Sequence, residues 1–179
     1  LVWSVIGFAL GNGILLPLIS SGLLPDFEGV VFALFGVMGA VGGLFLGVGN
    51  RKRMLPAAIA GALGFAPGGF LVMSGVFEEL AAQAVWGALA GLLLGLGLKY
   101  RWRAIVLGLV GAAALPLRLV IGQALWETPI SNLAHEPASV IIDVVIGSTV
   151  GLVFGLAVQF LGPWMKGAKA RQSQSPAGS

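Results

Sequence analysis

Six apolar runs, each near the length of a membrane-spanning helix, leave this chain few ways to fold. They lie at 1–23, 29–49, 54–76, 80–98, 103–125 and 138–163. A helix rises about 1.5 Å per residue, so about 20 residues cross the hydrocarbon core of a bilayer. In lipid every backbone polar group must be satisfied internally, which helices and closed barrels alone achieve. Barrel strands alternate apolar and polar residues, whereas Ile105 to Leu117 carries no polar side chain. The expected fold class is therefore an all-α integral membrane protein with six transmembrane helices.

Composition narrows the function classes. Of 179 residues, 58% are hydrophobic and 9% charged, against roughly 25% charged in a soluble domain. The mean hydropathy is +0.99. These values exclude a soluble globular domain, a disordered chain and a nucleic-acid binder. With no cysteine in the chain, disulfides and thiolate chemistry are excluded as well. Leu1 already stands inside an apolar run, so a start segment or a further domain is expected upstream. Residues 1–24 also have the apolar character of a signal peptide, but they lack a basic flank and belong to the repeat described below.

The connecting segments sort by charge. After the first, third and fifth runs come Asp26 and Glu28, then Glu78 and Glu79, then Glu127 and Glu136. After the second, fourth and sixth come Arg51, Lys52 and Arg53, then Lys99, Arg101 and Arg103, then Lys166, Lys169 and Arg171. Nine of the ten basic residues thus share one side, and six of the seven acids share the other. Cytoplasmic loops carry the excess of Lys and Arg, so both termini are expected in the cytoplasm. Trp3, Tyr100, Trp102 and Trp164 fall near the inner interface and Trp126 near the outer one, where aromatic belts form. The basic side is expected to attract anionic lipid. The Ser-, Gln-, Gly- and Ala-rich residues 167–179 are expected to be a disordered cytoplasmic tail.

An internal pattern accompanies the charge pattern. Glycines recur at every fourth position in the even runs: Gly39, Gly43 and Gly47; Gly87, Gly91 and Gly95; Gly147, Gly151 and Gly155. Small residues let helix backbones approach closely in lipid, so these stripes are candidate packing grooves, or the walls of a pore or oligomer interface. The odd runs carry Pro17, Pro67 and Pro116, each expected to kink its helix. The pattern divides the chain into three hairpins, 1–50, 51–99 and 100–166, repeated in the same direction.

Two charges interrupt apolar runs: Arg118 and Asp143. Each costs about 2.5–3.5 kcal/mol at the bilayer centre. Both are expected at a similar outer depth and are predicted to pair, as a structural clamp or as a gated charge site. Asn12, between Gly11 and Gly13, is the most central polar residue and a candidate interhelical hydrogen bonder.

No catalytic, metal or cofactor site is legible. The only histidine is His135, read as lying in an outer loop. Six helices invite comparison with rhomboid-type serine proteases, but Val72 and Met73 precede Ser74 and no membrane His is present. Glu78 and Glu79 begin the Glu-Glu-x-x-x-Arg motif of CAAX-type membrane proteases, but Gln83 holds the Arg position. The sequence resembles the many small Gly-rich bacterial membrane proteins that carry no diagnostic motif, which implies a bacterial plasma membrane. Two functions remain: a non-enzymatic membrane anchor or packing subunit of a larger assembly or longer chain, with protein partners or as a homo-oligomer; and a small channel or transporter with its path between the hairpins.

Overall fold

The computed structural model describes residues 1–20, 28–48, 51–73, 78–99, 103–127 and 135–173. The described chain is all-helical: α1 (Val2–Ser20), α2 (Glu28–Gly47), α3 (Arg51–Met73), α4 (Glu79–Gly97), α5 (Ala104–Trp126) and α6 (His135–Ser173). Four segments are long and apolar enough to cross a membrane: Gly29–Gly47, Glu79–Gly97, Ala104–Leu125 and Val140–Leu161. In α1 the stretch Val2–Gly13 is apolar but shorter. Large apolar side chains point outward, with Leu55 67% and Phe160 74% exposed. Such a surface is untenable in water. The protein is an integral membrane protein.

Each helix packs on its neighbours in chain order, and α1 closes the ring on α6. The most extensive contacts join α2 to α3, α4 to α5, and α1 to α6. In all three the glycines of the even helix supply the approach. A Cβ on Gly39, Gly43 or Gly47 would strike the carbonyl of Gly61, the carbonyl of Ala57 or the Cα of Met54. On Gly87, Gly91 or Gly95 it would strike the carbonyls of Gly111 and Leu107 or the Cα of Ala104. On Gly147, Gly151 or Gly155 it would strike the carbonyls of Phe8 and Ser4 or the side chains of Ser4 and Leu1. Backbone therefore rests on backbone at every one of these glycines but Gly155, which rests on the Ser4 side chain, and only glycine leaves the space.

Within the ring the core is apolar and aromatic. Phe154 stacks on Phe8 with centroids 5.8 Å apart, and Phe8 lies 5.7 Å from Phe65. Phe65 meets Trp86 edge-on at 5.8 Å, and Trp86 meets Phe35 edge-on at 5.1 Å. Five helices thus contribute one continuous column of rings in favoured tilted, edge-to-face or stacked arrangements. Met38, Leu94, Leu98, Leu107, Leu115 and Val150 fill the space around it.

Two boundaries differ from the sequence reading. Helix α6 runs on to Ser173, so residues 167–173 of the expected disordered tail are helical. Ala168, Lys169, Ala170, Arg171 and Gln172 are strong helix formers that outweigh Gly167. At about 1.5 Å per residue α6 is about 58 Å long, more than the roughly 30 Å hydrocarbon core requires. His135, read as a loop residue, is the first residue of α6. Asp26, Ser74, Tyr100, Arg101 and Trp102 lie outside the described residues, as do 174–179. One backbone feature marks the turn after α4. Lys99 adopts a left-handed φ of 59°, and its N–H donates to the carbonyl of Leu96 at 2.8 Å. Glycine normally takes this position after a helix.

Candidate functional site

Among the described residues the buried polar side chains are Ser4 toward the basic end, Asn12 near the middle and Gln83 toward the acidic end, where the half-buried Arg118 and Asp143 also stand. Helix α4 brings Glu79, Gln83, Trp86, Ala90 and Leu94 onto one stripe, because residues three and four apart share a helix face. The stripe is carboxylate and amide at its acidic end and apolar at its basic end. Glu79 is exposed, whereas Gln83 and Trp86 are buried.

Arg118 of α5 faces this stripe. Its guanidinium lies over the Trp86 ring, 5.5 Å from the centroid, within reach of a cation–π attraction of about 0.5–2 kcal/mol. The opposite support of the indole is α3: a Cβ on Gly68 would fall inside the Trp86 ring. Trp86 is therefore held between a backbone without a side chain and a cation. The carboxylates that act on Arg118 through space are those of Asp143 on α6 and Glu79 on α4. The structure thus brings Arg118 and Asp143 into electrostatic range, while the group the guanidinium covers is Trp86. Both charged residues are half-buried.

Among the described residues, three buried polar atoms have no hydrogen-bond partner: Gln83 Oε1, Trp86 Nε1 and Asn12 Oδ1. An unsatisfied buried group costs about 1–3 kcal/mol, so each is a position where the bundle gives up stability. Asn12 faces α6: its amide lies where a Cβ on Gly147 would stand. Its Nδ2 donates to the carbonyl of Phe8 at 2.9 Å, within α1. The hydrogen bond therefore stays inside the helix.

Pro67 and Pro116 both lie within continuous helix, and both are half-buried. Each removes a backbone donor and leaves the carbonyl four residues earlier without its helical partner. They stand beside this site: Pro67 precedes Gly68, and Pro116 stands two residues before Arg118. Pro17 lies within α1. At the basic end, Arg103 Nη1 donates to the carbonyl of Leu161 at 3.5 Å, tying the start of α5 to α6.

Sequence reasoning singled out Arg118, Asp143 and Asn12, read Glu79 as an outer-side acid and Gln83 as a departure from a protease motif, and missed Trp86. The helical spacing of Glu79, Gln83 and Trp86 was the available signal. A tryptophan in an apolar run reads as a lipid-facing or core residue until the neighbouring helix is known. Among the described residues no three of His, Cys, Asp and Glu gather in a metal-binding group. Comparison with family models, with curated proteins and with solved structures finds no match.

Proposed function

We propose that this chain is a six-span membrane packing or anchor unit, non-enzymatic, that serves a larger assembly or a longer chain. The observation that carries the reading is the aromatic column of Phe154, Phe8, Phe65, Trp86 and Phe35 through the bundle. A filled, apolar axis suits a body that others dock on and leaves little room for a continuous path. The basic ends lie in the cytoplasm of a bacterial plasma membrane, where Arg51, Lys52 and Arg53 meet anionic lipid at about 1 kcal/mol per nearby charge.

In this reading the three hairpins 1–50, 51–99 and 100–166 are repeats around an axis along the membrane normal. The shared register supports it. The residues under the glycines are Gly61, Ala57 and Met54 on α3; Gly111, Leu107 and Ala104 on α5; and Phe8, Ser4 and Leu1 on α1. Each set descends by four residues and then three. Each hairpin thus lays its even helix on the odd helix of the next, and the third hairpin lies on the first.

The test pairs two measurements on the full chain. Native mass spectrometry after gentle extraction with lipids is expected to find another polypeptide, or a heavier chain with a soluble domain. Reconstituted liposomes are expected to leak ions and small solutes no faster than empty ones. A lone protein that conducts overturns the reading. The second reading, a small channel or transporter, is favoured by one observation: the polar groups Arg118, Asp143 and Gln83 inside the acidic half.

A further inference from the structure

Aligned on their glycines, the three even helices differ in polarity at one buried or half-buried layer near the acidic end. One turn toward the acidic end from Gly39, Gly87 and Gly147 stand Phe35, Gln83 and Asp143. The odd helices differ at the matching depth. Seven residues beyond Gly61 stands Gly68, and seven beyond Gly111 stands Arg118. Of these residues Phe35, Gly68 and Arg118 meet around one side chain, Trp86, which Phe35 touches edge-on, Gly68 backs and Arg118 covers.

We propose that Trp86, Gln83, Asp143 and Glu79 form a binding site for a small organic cation, and that Arg118 is its tethered, displaceable occupant. The chemistry of the set is one-sided. An aromatic face attracts a cation through its quadrupole. Two carboxylates act on the guanidinium, so the fixed charges around it are negative in excess. The Gln83 Oε1 acceptor is buried and has no donor, and a ligand with N–H groups supplies one. Gly68 packs on one face of the Trp86 indole, and the opposite face, the one Arg118 covers, is the face the ligand takes. An anion would meet two carboxylates. The ligand class is therefore a guanidinium or a primary ammonium of small size. This goes beyond a packing role: it gives the bundle a ligand and Arg118 the part of a competing internal one.

The test uses the full chain in phosphatidylcholine nanodiscs, with Trp3, Trp102, Trp126 and Trp164 changed to Phe so that Trp86 alone reports. Methylguanidinium chloride is the probe, with sodium chloride at equal ionic strength as control. Arg118→Ala is expected to show a saturable change in Trp86 emission. The unaltered Arg118 protein is expected to bind about tenfold more weakly, because the tethered guanidinium competes. Arg118→Lys, which keeps a charge but fits the ring less well, falls between them and carries the comparison if Arg118→Ala does not fold. Adding Glu79→Gln, an exposed position, weakens binding in the same background. No saturable response in either Arg118 variant overturns the proposal. So does an equal response to sodium, or the same affinity with Arg118 present and absent.

Discussion

Toward the basic end, Gly43, Gly91 and Gly151 rest on the carbonyls of Ala57, Leu107 and Ser4. Toward the acidic end the same three helices present Phe35, Gln83 and Asp143. One half is nearly the same around the ring and the other is not. In the first half stability comes from close backbone approach, where small residues substitute for the hydrophobic drive that lipid removes. In the second half buried Gln83 and Trp86 atoms go without partners, and two charges stand in a low-dielectric setting. Proteins leave the consistent pattern where function requires it, and the cation site proposed above falls in that acidic half.

The comparison breaks most readily at the glycines. Gly91→Val is expected to prevent the native bundle, because its Cβ would enter the Leu107 carbonyl and that backbone has no way to yield. Gly36→Ala, whose Cβ would meet the Ala66 Cβ at 3.4 Å and the Ala62 carbonyl oxygen at 3.7 Å, is expected to change stability by less than about 1 kcal/mol. Thermal unfolding in detergent separates them; equal tolerance at both sites refutes the close-approach account. Next in size is the aromatic column. Phe154→Ala removes a fully buried ring and is expected to cost about 3–5 kcal/mol. A loss under about 1 kcal/mol would mean that the column is not packed.

The charged layer sharpens the contrast at smaller scale. Asp143→Asn alone is expected to destabilise by about 1–3 kcal/mol, since it leaves Arg118 without its main counter-charge. The double variant Arg118→Gln with Asp143→Asn is expected to recover part of that loss, and unfolding midpoints of the set measure the coupling. An Asp143→Asn variant as stable as the parent removes the electrostatic link. The smallest effect lies at the turn after α4. Lys99→Gly relieves a left-handed φ and is expected to stabilise by about 0.5–1 kcal/mol. A loss there would assign Lys99 a role through its side chain.

Much of this was legible in the residues, for a physical reason. Lipid forces backbone bonds inside each segment, so apolar runs alone locate α2, α4 and α5 to within a few residues. The glycine stripes were legible as grooves, but a stripe names a face and not its partner. Nothing local says that Gly147, Gly151 and Gly155 meet α1, some 140 positions earlier. Arg118 and Asp143 stood out because charge in an apolar run is costly. That the guanidinium covers Trp86 depends on how α4 and α5 rotate against each other, which Gly87 on Gly111 and Gly91 on Leu107 set. Residues 167–173 were misread because Ser and Gln near a terminus outweighed the helix-forming Ala, Lys and Arg between them.

The central claim is that the basic half is a solid, water-free body. Helix α4 allows it to be tested along one stripe, since Ala90 and Leu94 are both fully buried and the chain has no cysteine of its own. Ala90→Cys and Leu94→Cys would each be placed in membrane vesicles and exposed to a charged, membrane-impermeant thiol reagent from either side. Both are expected to stay unmodified, while Asp143→Cys in the acidic half reacts from its own side. Rapid modification at position 90 or 94 would put water through the bundle and contradict the account.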